Sequence, residues 1–296
     1  MQTENIVIIG AGPAGLAAGL QLKRYGEEFI LIERDNIGGL LRNANLVENY
    51  PGFPGGISGR ELVRRFEKQV SEISVKVTFT EVKSLSFEDG LFQIVTPERV
   101  YHSRMVVIAS GTKPKKFTEF RISEGIRDRI LYEIVPILHV KGKRVVIVGA
   151  GDLAFDYALN LSKKNDVMIL NRVEQVKCLT LLWERAIASA RITVHPMTSI
   201  SNIETCPENR LLLECKNPEG VLRIQADYVI GAIGREAQLD FVSDQFLHSA
   251  QELEKRGVLH FAGDVKNGVF RQAAIAVGEG ILTAMKIHLY LREVSA

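Results

Sequence analysis

Sulfur is scarce in this 296-residue chain, which has three cysteines, Cys178, Cys206 and Cys215. No pair has the spacing of a Cys-x-x-Cys or of a metal knot, so the chain has neither a disulfide framework nor a cysteine metal site. Cys206 and Cys215 are expected on one hairpin turning at Pro207-Glu208-Asn209, staggered so that the two sulfurs do not face each other. All three read as reduced thiols packed in ordinary strands. The six histidines (102, 139, 195, 248, 260 and 288) are scattered and form no metal-binding pairs. A marked excess of either charge is also missing: the net value is +2, which points to neither nucleic acid nor an anionic membrane. Glycines and charges interrupt every apolar run, so no bilayer-spanning helix is expected. The chain enters a strand by Asn5 with no basic segment and apolar signal core ahead of it, and a cytoplasmic location is the expectation. With 46% apolar and 24% charged residues, the length suits two domains, each with its own core.

Glycine, by contrast, is placed with purpose. Gly10-Ala-Gly12-Pro13-Ala14-Gly15 follows the apolar run Asn5–Ile9, and Gly149-Ala-Gly151-Asp152-Leu153-Ala154 follows Arg144–Val148. Each opens a segment of helical period, Leu16 to Tyr25 and Phe155 to Lys163. Strand, glycine turn and helix in this order form the dinucleotide fingerprint. The first glycine permits the tight turn and the second lets a pyrophosphate approach. The third, small position lets helix and strand pack, and the helix N-terminus faces the negative charge. Two fingerprints imply two nucleotides and electron transfer between two carriers.

The surrounding chain repeats one plan twice. After the first fingerprint comes strand 28–32, ended by Glu33, where a carboxylate can accept hydrogen bonds from an adenosine ribose. A Gly/Pro-rich loop (38–59), a helix from Ser58 to Val70, short strands near 75–79, 83–87 and 91–95, and a buried strand 105–109 ending in Ser110-Gly111 follow. The second plan reads strand 144–148, helix 152–163, strand 166–170, a β-rich insert over roughly 192–225, and strand 228–230 with its own glycine turn. A last strand, 258–262, leads through Gly263-Asp264 to a helix from Arg271 to about Leu291. The simplest topology returns this C-terminal part to the first domain. The predicted fold is therefore α/β, two Rossmann-like (three-layer ββα) dinucleotide-binding domains with one inserted in the other. Residues 1–113 and 234–296 form the first domain and 114–233 the second.

At this point the chain resembles the low-molecular-weight thioredoxin reductases and their flavoprotein relatives over nearly its whole length. The resemblance rests on the first fingerprint, Glu33, Gly38-Gly39, Val47-Glu-Asn-Tyr-Pro-Gly-Phe53, Ala109-Ser110-Gly111, Gly149 to Asp152, Ala232-Ile-Gly234, Gly263-Asp264 and Arg271-Gln272-Ala273. It implies that the first domain binds FAD. Gly12 to Ala14 would hold the pyrophosphate and Glu33 the ribose, with Arg34 also among the cofactor-binding residues. Gly39, Leu40, Leu41 and Asn49 would surround the flavin, and Val82 would lie on the adenine side. Asp264 would reach the ribityl–phosphate stretch, while Arg271, Gln272 and Ala273 would bring the last helix to the isoalloxazine, where its N-terminus can stabilise a reduced, anionic flavin. The family generally forms homodimers through its FAD domains.

The departures matter as much. Thioredoxin reductases carry Cys-x-x-Cys and an acid shortly before the second fingerprint, and those positions here read Tyr132-Glu133-Ile134-Val135, then Pro136. Dithiol exchange needs a thiolate and a resolving partner, so the chain is not expected to reduce thioredoxin. Without a dithiol the family's reason for rotating its domains also disappears, and a more fixed arrangement is expected. Tyr132 is left with two readings, a shield for the flavin or a packed linker tyrosine. At the second site the position equivalent to Glu33 is Asn171, followed by Arg172 and Lys177. A neutral residue with two cations suits NADPH over NADH by charge, and an eroded site binding neither is the alternative. The function implied is an FAD-dependent NAD(P)H oxidoreductase delivering electrons to a ferredoxin-like protein or a small molecule. A ferredoxin-fed enzyme independent of pyridine nucleotide and a non-catalytic flavin-binding regulator are the competing readings. No catalytic protein residue is required. Lys113, Lys115 and Lys116 with Arg60, Arg64 and Arg65 are candidates for a basic docking face, or simply solvate a linker and a helix.

Overall fold

The computed structural model describes residues 3–120, 122, 124–206 and 210–295, and the chain divides into two compact units. The first comprises the described residues through Arg42, Val47–Lys113 and those from Glu236 onward. The second comprises Asn43–Leu46 and Pro114–Arg235. This departs from the sequence boundaries in two places. The later crossing falls after Arg235, because Lys115 N–H donates to the Gly234 carbonyl at 3.0 Å and Arg235 pairs with Glu133 at 3.5 Å. Asn43–Leu46 also belongs with the second unit, where Asn43 Oδ1 accepts the Ile134 N–H at 3.0 Å and the Asn45 N–H donates to Asp156 at 2.9 Å.

In the first unit β1 (Thr3–Ile9) leads into α1 (Pro13–Arg24) and β2 (Ile30–Glu33). Helix α2 (Gly59–Glu72) starts on a Ser58 cap whose hydroxyl accepts the Glu61 N–H. Strands β3 (Val77–Phe79), β4 (Ser84–Glu88), β5 (Leu91–Val95) and β6 (Val100–Ile108) follow. β1 pairs in parallel with β2 and β6, β3 extends β2, and β5 and β4 continue antiparallel from β6. Side chains alternate across β1. Ile6 and Ile8 enter the core shared with α1, whereas Val7 and Ile9 enter a second core with Phe92 and Ile94 of the antiparallel hairpin. That alternation makes the sheet the middle of three layers.

Short strand β7 (Thr112–Pro114) carries the chain across the boundary. The second unit repeats the layering with β8 (Ile130–Leu131), β9 (Arg144–Val148), α3 (Asp152–Leu161), β10 (Asp166–Leu170), α4 (Thr180–Ile187) and β11 (Ile192–His195). An antiparallel meander, β12 (Ser199–Cys206), β13 (Arg210–Asn217) and β14 (Gly220–Ala226), precedes β15 (Tyr228–Gly231). Ile192–His195 pairs in parallel with β10, so it belongs to the main sheet rather than to the β-rich insert in which the sequence reading places it. Val145 and Ile147 face α3, and Val146 faces the meander with Leu211 and Leu213. Cys206 lies opposite Arg210 and Cys215 opposite Ile200, so these two cysteines do not pair, and the turn at 207–209 lies outside the described residues.

The return passes through β16 (Arg235–Ala237) to α5 (Asp244–Lys255), β17 (Leu259–Phe261) and α6 (Ala273–Ser295). β17 pairs in parallel with β6, which returns the C-terminal part to the first unit's sheet. In α6, Ala276, Ala284 and Ile287 are buried in the core shared with α1. By length and composition Ala273–Val294 could cross a bilayer, contrary to the sequence expectation, because its charges are few. Such a helix is weak evidence for a membrane, since a core helix passes the same test.

Candidate functional site

Two of the glycines in the first fingerprint are dictated by the protein and one is not. Gly10 has φ +106°, and a Cβ there would overlap the Ala109 carbonyl. A Cβ on Gly15 would overlap the Gly10 carbonyl. Gly12 has an ordinary φ of −73°, and a Cβ there would meet nothing within 4 Å. It is the N-cap of α1, whose end has no side-chain cap and has Pro13 in its first turn. Uncapped N–H groups at a helix start suit an anion, and the open space at Gly12 leaves room for a phosphate group there.

Beside this turn lies a cavity of about 330 Å³, lined by five sequence-predicted residues: Gly10, Glu33, Arg34, Val82 and Ser110. Glu33 ends β2 with its carboxylate held on both oxygens: Oε2 accepts the Ala11 N–H at 2.7 Å and Oε1 the Asp35 N–H at 2.9 Å. A carboxylate has about four acceptor positions, so capacity remains for two hydroxyls. Arg34 turns to Asp35 at 2.9 Å. Sequence reasoning missed the rest of the lining, notably Gln238, Asp240 and Phe241 from the returning chain and Thr80, Glu81 and Lys83 from the loop after β3. No motif marks them. Ser110 donates to the Gln238 carbonyl at 2.7 Å, and Gly111 accepts the Gln238 N–H at 3.0 Å.

The other predicted residues of this unit converge at the loop after β2 and the start of α6. Gly38 N–H donates to the Ala11 carbonyl at 2.8 Å, which draws Gly39, Leu40 and Leu41, in a short 3-10 turn, back to the fingerprint. Asn49 donates to the Gln272 side chain at 2.7 Å, joining two residues 223 positions apart. Gln272 precedes Ala273, the first residue of α6, and its carbonyl accepts the Ala276 N–H. Gly263 N–H donates to Glu279 at 2.6 Å, which sets the partly buried Asp264 beside the same helix. Arg271 is partly buried, with its N–H on the Val269 carbonyl.

The second fingerprint has the same backbone plan. Gly149 has φ +120°, and a Cβ there would overlap the Ala232 carbonyl, as Gly10 does with Ala109. Lys177 N–H donates to the Ala150 carbonyl at 3.0 Å, matching the bond from Gly38 to Ala11. Gly151 caps α3 without a side-chain cap, while Asp152 accepts the Leu179 N–H at 2.8 Å and Leu153 is partly buried behind it. The residues after β10 behave differently from Glu33. Asn171 is only 6% exposed and donates its amide to the Gln175 carbonyl at 3.0 Å, closing its own loop. Arg172 and Lys177 are exposed.

No sulfur occupies 132–135. Tyr132 accepts the Phe117 N–H on its hydroxyl at 3.0 Å, and its ring covers Gly231. Glu133 meets Arg235, whose side chain is 9% exposed, and Asn43. Burial pushes the Cys215 thiol up to about 11 and raises Cys178 as well, so neither is poised as a thiolate. Among the described residues no cluster of metal ligands is present. The basic docking face also loses members within the first unit. Lys113 is bonded to Asp240 and Glu236, and Arg64 and Arg65 both pair with Glu61. Neighbouring carboxylates cancel the field such a face needs.

With the paired fingerprints and the layered sheets in place, the class is defined: the chain belongs to the pyridine nucleotide-disulphide oxidoreductase family, whose model matches residues 4–280. Within it the likeness is to thioredoxin reductases, a family that binds FAD and NADPH. Thioredoxin reductase of Borreliella burgdorferi is 27% identical over 98% of this chain and 92% of its own. A 34.2 kDa protein in the rubredoxin operon of Clostridium pasteurianum is 26% identical over 97% of each chain. The crystal structure of T. acidophilum thioredoxin reductase superposes with a TM-score of 0.85 at 26% identity, covering 99% of this chain and 100% of that one.

Proposed function

We propose that this chain is an FAD-dependent NAD(P)H oxidoreductase that delivers electrons to an external acceptor without a protein dithiol. The observation that carries the reading is the occupation of 132–135 by hydrogen-bonded tyrosine, glutamate and apolar residues in a chain with no Cys-x-x-Cys. FAD would supply hydride acceptance and onward electron transfer. This chain's own residues bind and orient. The α1 N-terminus with Gly12, Pro13 and Ala14 holds a pyrophosphate, Glu33 accepts ribose hydroxyls, and Val82 borders the adenine. The Asn49–Gln272 bond fixes the start of α6, whose dipole favours negative charge there. Gly149, Gly151, Asp152 and Leu153 form the second nucleotide turn, with Arg172 and Lys177 available to a 2′-phosphate. Binding geometry supplies most of the catalysis.

The rubredoxin-operon relative supports a small iron protein as acceptor. The expected result is NADPH-dependent reduction of rubredoxin, ferredoxin or a one-electron dye, with no turnover of thioredoxin. Thioredoxin turnover would refute the reading. Asn171 supports a second reading, a ferredoxin-fed enzyme independent of pyridine nucleotide, because its amide is committed to its own loop. Reduction by ferredoxin but by neither NADPH nor NADH selects it. A homodimer in the cytoplasm completes the proposal. Its support is the exposed stripe Ile275, Leu282, Met285 and Leu289 on α6, at spacings of three, four and seven.

A further inference from the structure

Carboxylates neutralise the basic face predicted around Lys113, but the second unit carries another cationic surface, shaped by Asn165. This side chain is 2% exposed. Its Oδ1 accepts the Lys143 N–H at 3.0 Å, and its Nδ2 donates to the Val140 and Leu161 carbonyls at 3.2 and 3.1 Å. The Gly142 N–H donates to the Lys164 carbonyl at 2.8 Å, at a φ of +66° that suits glycine. A buried amide thus ties the turn 140–143 to the end of α3 and sets Lys141, Lys143 and Arg144 beside Lys163 and Lys164. Arg144 lies opposite Asp166 in the β9–β10 pair, and the Arg191 carbonyl accepts the Val167 N–H at the same edge. Within this group six cations face three carboxylates. Lys143 pairs with Asp227 at 3.6 Å, and Arg191 with Asp166 at 4.0 Å. Lys163 donates to the Asn45 side chain and is attracted to Asp156. Lys141, Arg144 and Lys164 are exposed and, among the described residues, have no ion pair. The local excess is larger than the +2 of the whole chain, so the remaining residues sum to a net negative value and the positive field is concentrated here.

We propose that this corner of the second unit is a docking surface for a small electron-carrier protein with a carboxylate-rich face. The partner's role as electron carrier rests on the electron-delivery reading above, and its acidity does not. Charge and geometry select the class. Lys163 and Lys164 follow the C-terminal end of α3, whose partial negative charge disfavours a small bound phosphate and leaves the ammonium groups reaching outward. Asp166 and Asp227, set among the cations, repel the continuous phosphate backbone of a nucleic acid. The segments 140–144 and 163–166 hold no aromatic ring on which a base could stack. Separate carboxylates on a protein surface can instead pair one by one with Lys141, Arg144 and Lys164, steering the encounter and fixing its register. The clamp at Asn165 holds the turn in place before the partner arrives, which lowers the ordering cost of docking.

Calorimetric titration of the FAD-loaded full chain with a carboxylate-rich ferredoxin, at low and at high salt, tests this. Lys141→Glu with Lys164→Glu should weaken binding by about tenfold or more at low salt, and the gap from the wild type should shrink at high salt. Lys141→Gln with Lys164→Gln should fall between the two, which keeps the test alive should the reversed pair fold poorly. Lys216→Glu, an exposed position on the meander, should bind like the wild type. Reduction of a neutral one-electron dye by NADPH should be the same in all of these proteins. Three results overturn the proposal: no ferredoxin binding by the wild type, binding indifferent to the Lys141 and Lys164 pair, or an equal loss from Lys216→Glu. Tighter binding of a single-stranded oligonucleotide at the same salt also overturns it, in favour of nucleic acid. Binding that depends on the pair while neither dye nor ferredoxin is reduced refutes the electron-delivery reading and leaves the acidic-partner surface standing.

Discussion

Replacing the three glycines of the first turn one at a time separates folding from ligand binding. Gly10→Ala puts an L-residue at φ +106° and its Cβ into the Ala109 carbonyl, which is rigid backbone at the end of β6. The backbone conformation costs about 1–2 kcal/mol and the overlap about 1–3 kcal/mol more. Gly15→Ala meets the Gly10 carbonyl and pays a similar overlap cost without the φ penalty. Gly12→Ala has an ordinary φ and no neighbour within 4 Å, so only the helix-cap preference changes, by about 0.5–1 kcal/mol. Its methyl occupies the space assigned to the pyrophosphate, and an overlap of about 1–3 kcal/mol weakens FAD by roughly 5- to 150-fold. Urea unfolding of flavin-stripped protein and FAD titration by fluorescence measure the two effects. Gly12→Ala should leave the unfolding midpoint near that of the wild type and lose FAD, while Gly10→Ala should unfold markedly earlier. A Gly12→Ala protein as unstable as Gly10→Ala, or one binding FAD normally, would refute the assignment of that space.

Acid should destabilise the first unit through His260. Burial holds this imidazole down to about 4, with Lys286 and Lys266 adding repulsion and the Gly257 carbonyl opposing. The unfolded chain takes the proton first, so stability present above pH ~6.5 is lost as pH falls toward ~4, up to ~3 kcal/mol. His260→Gln should flatten that slope in urea unfolding, and an unchanged slope would exclude His260 as its source. Asp156 acts in the opposite sense, its share of stability being lost as pH rises through about 6. For the dimer, Leu282→Lys with Met285→Glu on the exposed stripe of α6 should shift sedimentation toward monomer without altering flavin binding. A double variant that sediments like the wild type would exclude this face.

How far the sequence reached depended on the range of the interaction. The two fingerprints, the apolar strands that precede them and the helices they open are local patterns, and the structure realises each of them. Helix α5 was legible too, through its Ser243 cap and the buried Phe246, Ala250 and Leu253, but the sequence reading did not assign it. Helix α4 was not, because its apolar residues Leu181 and Ile187 are exposed and blur any amphipathic face. The cavity wall at Gln238–Phe241 and the grouping of Asn43–Leu46 with the second unit bring together chain far apart in sequence, with no residue type that announces them. Asn171 shows the same limit in a single side chain. Its position matches Glu33, but its amide turns inward to Gln175, a choice set by local backbone geometry rather than by residue spacing.

The central claim is flavin chemistry without a dithiol, and anaerobic titration of the FAD-loaded protein with NADPH, followed by the flavin's visible absorbance, tests it most directly. A protein with flavin as its sole redox group should bleach fully with about one equivalent per FAD. Bleaching that needs about two equivalents would reveal a second two-electron group, and no bleaching by NADPH or NADH would contradict the use of pyridine nucleotide altogether.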